Sequence, residues 1–340
     1  MAPQLTLGVD THLDVHVAAL LDERGALLGV ESFDTTPDGY RNLLAWAASQ
    51  GEVVLAGVEG TGSYGAGLTR HLHAEGVKVL EVDRPNRQRR RRRGKSDPQD
   101  AITAARAAQS GDAQGEAKTR DGNVEAMRVL RVARSSARKS RTQALNQMRS
   151  IISTAPDQIR SELRDLNVYR LLERASAYRP GARRDVASLT KLSLRTLARR
   201  ALALEAEIAD IDVILKELVH DTAPELVARV GIGVDSATAL LVAAGDNPGR
   251  LRNEATFAHL CGVAPIDASS GKHERHRLNR GGDRQANSAL WHIVITRMVY
   301  DPRTRDYLDR RTKEGPTKKE AFRCPKRHTA REGDNHPPHD

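Results

Sequence analysis

The chain has 340 residues, and its 54 Lys+Arg against 44 Asp+Glu leave a formal charge of +10, an excess that attracts polyanions. That length excludes a one-motif peptide and suggests two domains, with chain to spare for a helical connector. Only 3% of residues are aromatic while 29% are charged, which argues against an all-β sandwich and for a soluble, Ala/Leu/Arg-rich protein dominated by helix.

The chain opens without a basic leader region and runs directly into Leu5-Thr6-Leu7-Gly8-Val9-Asp10. The most apolar later stretch, Ala228 to Ala244, is interrupted by Arg229 and Asp235, so nothing reads as secreted or membrane-spanning and the expected compartment is the bacterial cytoplasm, near the nucleoid. Leu5–Val9, Val15–Leu21 and Ala26–Phe33 form three predicted strands, the last two joined by the turn Asp22-Glu23-Arg24-Gly25, in an antiparallel meander. Thr36-Pro37 is a cap followed by proline at the first helical position, opening a helix to about Ser49. Val53–Val58 is a fourth strand, Ala66–Ala74 a helix and Val77–Val82 a fifth strand. A last helix starts at Ser96-Asp97-Pro98, again a cap followed by proline. Three strands, then helix, strand, helix, strand and helix, is the element order of a ribonuclease-H-type α/β domain.

From about Val124 to Leu226 the pattern is helical, broken by Pro156 and by Pro180-Gly181. Leu197, Ala201, Leu204, Ile208, Ile211, Leu215 and Leu218 step by 4 and 3, a heptad seam that needs an apolar partner. Ala144, Met148 and Ile152 of the earlier helix would supply one within the chain, and a second copy would supply one in a coiled-coil dimer. On that earlier helix Arg131, Arg134, Arg138 and Arg141 share a face, with no acid at i±4 to neutralise them. This ridge is expected to track phosphates, although a solvated charged face is the commoner meaning of such a run.

From about Glu225 a mainly helical unit follows, containing Val230-Gly231-Ile232-Gly233. The glycines allow either the hairpin of a helix–hairpin–helix, with exposed N–H groups for a phosphate, or a plain helix–helix turn. Its two cysteines, Cys261 and Cys324, are too few for a disulfide framework or a four-ligand zinc site. Pro325 falls inside Lys318–Arg331, otherwise a helix, where it would cost about 3 kcal/mol or more. The expected division is therefore residues 1–115, α/β; 116–224, helical connector; 225–332, mainly α; and 333–340, a disordered Pro/His tail.

Four acids stand at converging element ends: Asp10 closing the first strand, Glu59 following the fourth, and Asp97 and Asp100 three apart at the start of the last helix of the α/β domain. Each has a separate explanation, as a strand-end turn residue, a surface acid, an N-cap and a first-turn acid. Gathered together they repel one another unless cations are bound, and two Mg²⁺ or Mn²⁺ ions about 3.5–4 Å apart would serve an in-line phosphoryl transfer. Asp14 and Asp83 lie near the same sheet end.

Gly8-Val9-Asp10, Gly57-Val58-Glu59-Gly60-Thr61-Gly62-Ser63-Tyr64 and Gly94-Lys95-Ser96-Asp97-Pro98-Gln99-Asp100-Ala101 closely resemble the signature blocks of the DEDD insertion-sequence transposases, relatives of the Piv/MooV DNA invertases. The resemblance extends over about residues 5–330. It implies a RuvC-like domain joined to a C-terminal transposase domain, and makes Asp10, Glu59, Asp97 and Asp100 the metal-binding tetrad. Because the family includes bridge-RNA-guided recombinases, it also implies DNA as substrate, a guide noncoding RNA and a homo-oligomer.

Arg84, Arg87, Arg89, Arg90, Arg91, Arg92 and Arg93 put seven guanidinium groups immediately before Gly94-Lys95. Their place between a strand and the acid-bearing helix favours strand binding across the acids over a localisation signal. Further blocks resembling the family are Cys261-Gly262-Val263-Ala264-Pro265, Ser269-Ser270-Gly271 and Asn279-Arg280-Gly281-Gly282-Asp283-Arg284-Gln285-Ala286-Asn287. In the family a serine just before glycine in this block joins covalently to DNA. Ser270 matches that position, with Ser269 in reserve, while His273, Arg275, His276, Arg277 and Arg280 would neutralise a phosphodiester. Other readings are a junction-resolving nuclease that uses water, a sugar-kinase-like phosphotransferase, and a non-catalytic nucleic-acid binder. Thr11-His12-Leu13-Asp14 lacks the phosphate-cradling loop that a kinase needs.

Overall fold

The computed structural model describes residues 3–82, 96–113, 115–181, 184–251, 253–267, 276–277, 279–315 and 317–333. Two compact units emerge from the packing. Met1–Glu125, Ala239–Val294 and Arg303–Asp340 form one, and Ala126–Thr238 with Ile295–Pro302 form the other.

The first unit is built on a five-stranded mixed sheet. Strands β1 (Gln4–Thr11), β2 (Val15–Leu21) and β3 (Leu27–Asp34) pair antiparallel, and β4 (Glu52–Glu59) and β5 (Lys78–Val82) add in parallel on the other side of β1, in the order β3-β2-β1-β4-β5. Each strand predicted from the sequence is present. Helix α1 (Pro37–Ala48) begins where Thr36 predicted it, with the Thr36 hydroxyl accepting from the Gly39 N–H at 3.1 Å. Helices α2 (Ala66–Ala74) and α3 (Asp97–Gln109) follow.

Strand periodicity sorts the two faces. Leu5, Leu7 and Val9 of β1 pack with Ala56 and Val58 of β4 against Leu43, Leu68 and Leu72 of α1 and α2. The intervening residues, Gly8 and Gly57 among them, therefore face α3. These two glycines are register partners. A Cβ on Gly8 would lie 2.2 Å from the Ala101 carbonyl oxygen, and one on Gly57 would lie 2.4 Å from that of Ala104. The backbone of α3 thus lies directly on the sheet, its contact face made of Ala101, Ala104, Ala105 and Ala108.

The second unit is helical. Helix α4 (Asn123–Thr154) enters it, followed by α5 (Asp157–Leu163), α6 (Val168–Ser176) and α7 (Val186–Thr222). The breaks fall at Pro156 and around Pro180 as expected, with one more at residues 164–167, where the Asn167 side chain caps α6 by accepting from the Arg170 N–H at 3.0 Å. The buried stripe of α7 is Leu194, Ala198, Ala201, Ile211, Leu215 and Val219. Of the predicted seam, Ala201, Ile211 and Leu215 are buried while Leu204 and Ile208 are half-buried, and the stripe shifts by a residue at each end, as a straight helix drifts against a seven-residue repeat. Its first half packs within the chain against Ala144, Met148 and Ile152 of α4 and Leu171, Leu172 and Ala175 of α6. Ion pairs run Arg134 to Asp212 and Arg141 to Glu205, so α4 and α7 are antiparallel.

Two short steps return the chain to the first unit: α8 (Pro224–Val227) and α9 (Val234–Ala244). Residues 242–250 clasp residues 116–125 of the first pass. Asp246 accepts from the N–H groups of Val124 at 2.8 Å and Glu125 at 3.1 Å, capping the start of α4. Lys118 Nζ donates to the Val242 carbonyl at 2.6 Å, and Arg250 Nε donates to the Glu116 carbonyl at 2.9 Å. Burial, with Arg250 and Arg120 nearby, brings the Lys118 ammonium down to about 8. Beyond lie α10 (Glu254–Leu260), the short antiparallel pair β6 (Ile266–Asp267) and β7 (His276–Arg277), then α11 (Arg284–Tyr300), α12 (Pro302–Lys313), α13 (Lys318–Ala321) and α14 (Arg323–Gly333).

Pro325 corrects the sequence reading. The expected helix is divided at Phe322, and α14 restarts at Arg323, which places Pro325 in a first turn whose N–H groups have no intrahelical acceptor. The expected penalty does not arise there. Cys261 is buried and Cys324 exposed, both as free thiols. No helix among the described residues is long and apolar enough to cross a membrane.

Candidate active site

Asp10 and Glu59 lie one residue beyond the register pair Val9 and Val58, on the strand face that meets α3. Both are buried, at 5% and 7% exposure. The strand ends are tied together where the Thr11 hydroxyl donates to the Glu59 carbonyl at 2.7 Å. Gly60 then turns the chain away at φ +72°, in the left-handed region that favours glycine. Direct seating of α3 on Gly8 and Gly57 sets its first turn, with Asp97 and Asp100, over this end of the sheet.

Burial pushes the Asp10 carboxyl above its ordinary range, and the neighbouring Asp100 and Asp97 push it further, against an opposing pull from His12. Three of the four predicted acids are thus close enough to feel one another. Glu59 shares the strand end and the burial.

The sequence reading missed His12. Its Nε2 lies 3.1 Å from Asp10 Oδ2 and 3.5 Å from Asp97 Oδ1, and one ligand atom from each of Asp10, His12 and Asp97 falls within 4.8 Å of the others. A usable signal existed, since His12 stands one residue past the end of β1 and two residues after Asp10, where continued strand alternation projects it to the same face. The donor set of carboxylates and an imidazole suits a divalent cation, and the raised Asp10 carboxyl is the electrostatic strain such a charge relieves.

The arginine ridge needs a correction. Its neutralising acids are absent from α4 itself but are supplied by other elements of the same unit. Arg134, only 15% exposed, pairs with Asp212 of α7 at 2.5 Å and with Asp235 of α9 at 2.6 Å. Arg141 pairs with Glu205 at 3.1 Å, Arg131 donates to the Asp235 carbonyl at 3.1 Å, and Arg138 lies 3.8 Å from Asp235 while staying 59% exposed. In the glycine hairpin, Gly231 has φ +82° and needs to be glycine, whereas a Cβ on Gly233 would meet nothing within 4 Å. Ser269, Ser270, Arg84, Arg87, Arg89 to Arg93, Lys95, His273 and Arg275 lie outside the described residues, as does the side chain of His276.

Two family models match the chain. One, described as a transposase of the DEDD type of IS110, matches residues 7–156, and one described as transposase of the IS116/IS110/IS902 family matches residues 225–309. The first spans β1 to the end of α4 and includes all four acids. Among curated relatives, the 43.6 kDa protein of insertion element IS110 from Streptomyces coelicolor is 35% identical over 132 residues, 38% of this chain and 31% of its own length. The 42 kDa protein of insertion element IS900 from Mycobacterium paratuberculosis is 29% identical over 122 residues, 35% of this chain and 31% of its own length. The alignments therefore span about a third of each relative. Over residues 7–156 and 225–309, then, the chain is similar to transposases of the IS110 lineage, the first stretch to their DEDD type.

Proposed function

We propose that the protein is a DNA transposase or recombinase of an insertion sequence, breaking and rejoining strands with a ribonuclease-H/RuvC-like acidic site and a serine nucleophile. The observation that carries this reading is the seating of an Ala-faced helix on Gly8 and Gly57, which gathers Asp97 and Asp100 over buried Asp10 and Glu59. When bound there, divalent cations supply positive charge to the attacking and leaving oxygens of a phosphodiester. Asp10, Glu59, Asp97 and Asp100 hold them, and the hydrophobic walls on both sides of β1 keep that strand end fixed.

Ser270 is the attacking group by family resemblance. Its oxygen replaces one DNA oxygen on phosphorus, and the displaced strand leaves as a hydroxyl carrying the proton. The phosphoserine bond conserves the energy of the broken linkage, so the reverse attack rejoins DNA without ATP. The basic run Arg87 to Arg93 and Lys95 holds backbone phosphates of DNA, and of a guide RNA if one serves. Exposed Arg138 adds a contact from the second unit. Assembly of the protein as a homo-oligomer belongs to the same reading.

The test is incubation of the protein with its flanking DNA, with and without co-transcribed noncoding RNA, followed by detection of a protease-sensitive protein–DNA adduct. Asp97→Ala and Asp100→Ala should abolish strand exchange while the fold persists, as should EDTA; full activity under either condition overturns the acidic-site reading. Ser270→Ala should bind nucleic acid and form no adduct. Loss in Ser269→Ala instead moves the nucleophile by one residue. Normal recombination by both variants makes water or a DNA 3′-hydroxyl the attacker, as in a junction resolvase.

A further inference from the structure

We propose that His12 is a third protein ligand of the cation held by Asp10 and Asp97, and that its nitrogen makes this position prefer Mn²⁺ to Mg²⁺. The inference rests on the acidic-site reading above and names the chemistry of one of its positions.

Donor spacing supports it first. Ligand atoms about 2.1 Å from an ion and at right angles around it lie about 3 Å apart. Nε2 of His12 stands 3.1 Å from one carboxylate oxygen and 3.5 Å from the other. A cation among these three atoms needs only small adjustments and takes the place of the Nε2 proton.

The backbone holding the ring is also fixed in advance. On one side the Thr11 hydroxyl is bonded to the Glu59 carbonyl at 2.7 Å. On the other, the Thr35 hydroxyl donates to the His12 carbonyl at 3.2 Å. The ring itself is 40% exposed, so close packing does not force it against the acids. Two carboxylates attract it to this position.

Chemistry then decides the preference. Mg²⁺ demands oxygen donors in near-ideal octahedral geometry, whereas first-row transition ions accept imidazole nitrogen readily. An all-carboxylate position would treat Mg²⁺ and Mn²⁺ more evenly than one with a nitrogen ligand.

Mn²⁺ bound to the full-length protein is the probe. Pulsed EPR should show ¹⁴N coupling from a directly bound imidazole, absent in His12→Ala and in His12→Gln. Gln can keep a hydrogen bond to Asp10 but offers no such nitrogen, so recovery of Mn²⁺ affinity in His12→Gln would reduce His12 to a positioning residue and overturn the proposal. Competition titrations should show Mn²⁺ affinity falling about tenfold in His12→Ala while Mg²⁺ affinity changes less than about twofold, on the premise that the nitrogen is the discriminating donor. Mn²⁺ bound with no nitrogen coupling, or equal losses for both ions, overturns the role of His12 alone. Mn²⁺ binding unchanged in Asp10→Asn overturns the carboxylate site itself, and the two failures are thereby distinguished.

Discussion

Glycine at positions 8 and 57 does its work through an absence, because any side chain there would occupy the path of α3's backbone. Gly8→Ala should therefore destabilise the first unit by about 3 kcal/mol and weaken divalent-ion binding together with it, since α3 must lift and carry its two acids along. Urea unfolding and an Mn²⁺ titration of the same variant check both. His16 offers a second measurement. It is fully buried, stacks on Tyr40 with ring centroids 5.8 Å apart, and its Nε2 has no hydrogen-bond partner. Burial, and then the nearby His12, lower its imidazole from 6.5 to about 4. The folded state keeps this ring neutral while the unfolded chain protonates it near 6.5, so stability is level above that pH and falls as pH drops from about 6.5 to about 4. The loss approaches about 3 kcal/mol. Urea midpoints at pH 7, 5.5 and 4.5 should show the decline, and His16→Phe, which keeps a ring on Tyr40, should flatten it over that window. At Pro325 the first-turn position predicts that Pro325→Ala shifts the melting temperature by no more than a few degrees, against the large gain expected of a proline relieved from mid-helix.

Elements with a strong local period were legible in the sequence. β1 and β2 read as short apolar runs because both their faces are buried, and α1 and α3 announced themselves through Thr36-Pro37 and Ser96-Asp97-Pro98. The four acids were legible for the same reason, standing at ends of periodic segments. What could not be read was anything requiring a partner far along the chain. Whether the α7 seam meets α4 is not decided by spacing alone, and the acids that neutralise Arg134 lie 78 and 101 residues away, outside any helical-neighbour rule. Mutagenesis of α4 separates the two kinds of arginine. Arg134→Ala should destabilise the helical unit by about 1–3 kcal/mol, because Asp212 and Asp235 lose a shared, mostly buried partner, and should leave the salt slope of nucleic-acid binding unchanged. Replacing the run Arg87 to Arg93 should lower the slope of log K against log salt by about 0.7–0.9 for each contact removed, with no change in stability. Filter binding across a salt series and thermal melts of the same proteins discriminate between these outcomes.

Across the whole molecule, the first unit is discontinuous: residues 126–238 leave it and the chain comes back to it. The cap on α4 is the clearest mark of that return, for Gly122 has no side chain to offer, and the carboxylate that serves Val124 lies 122 residues later. Asp246→Ala should accelerate hydrogen exchange in the first turn of α4 by roughly fivefold, equivalent to about 1 kcal/mol of capping, while the core of β1 exchanges as before. The arrangement also imposes a timetable on synthesis. At about 5–20 residues per second, the ribosome needs roughly 6–24 seconds after Val124 to deliver Asp246. During that interval the helical insert can be completed while the segment at its root lacks its clasp. The nascent sheet-bearing part therefore has to wait, in kinetic terms, for a piece of itself encoded 122 residues downstream, and a chain halted near residue 238 should expose residues 116–125 to protease where the finished protein protects them.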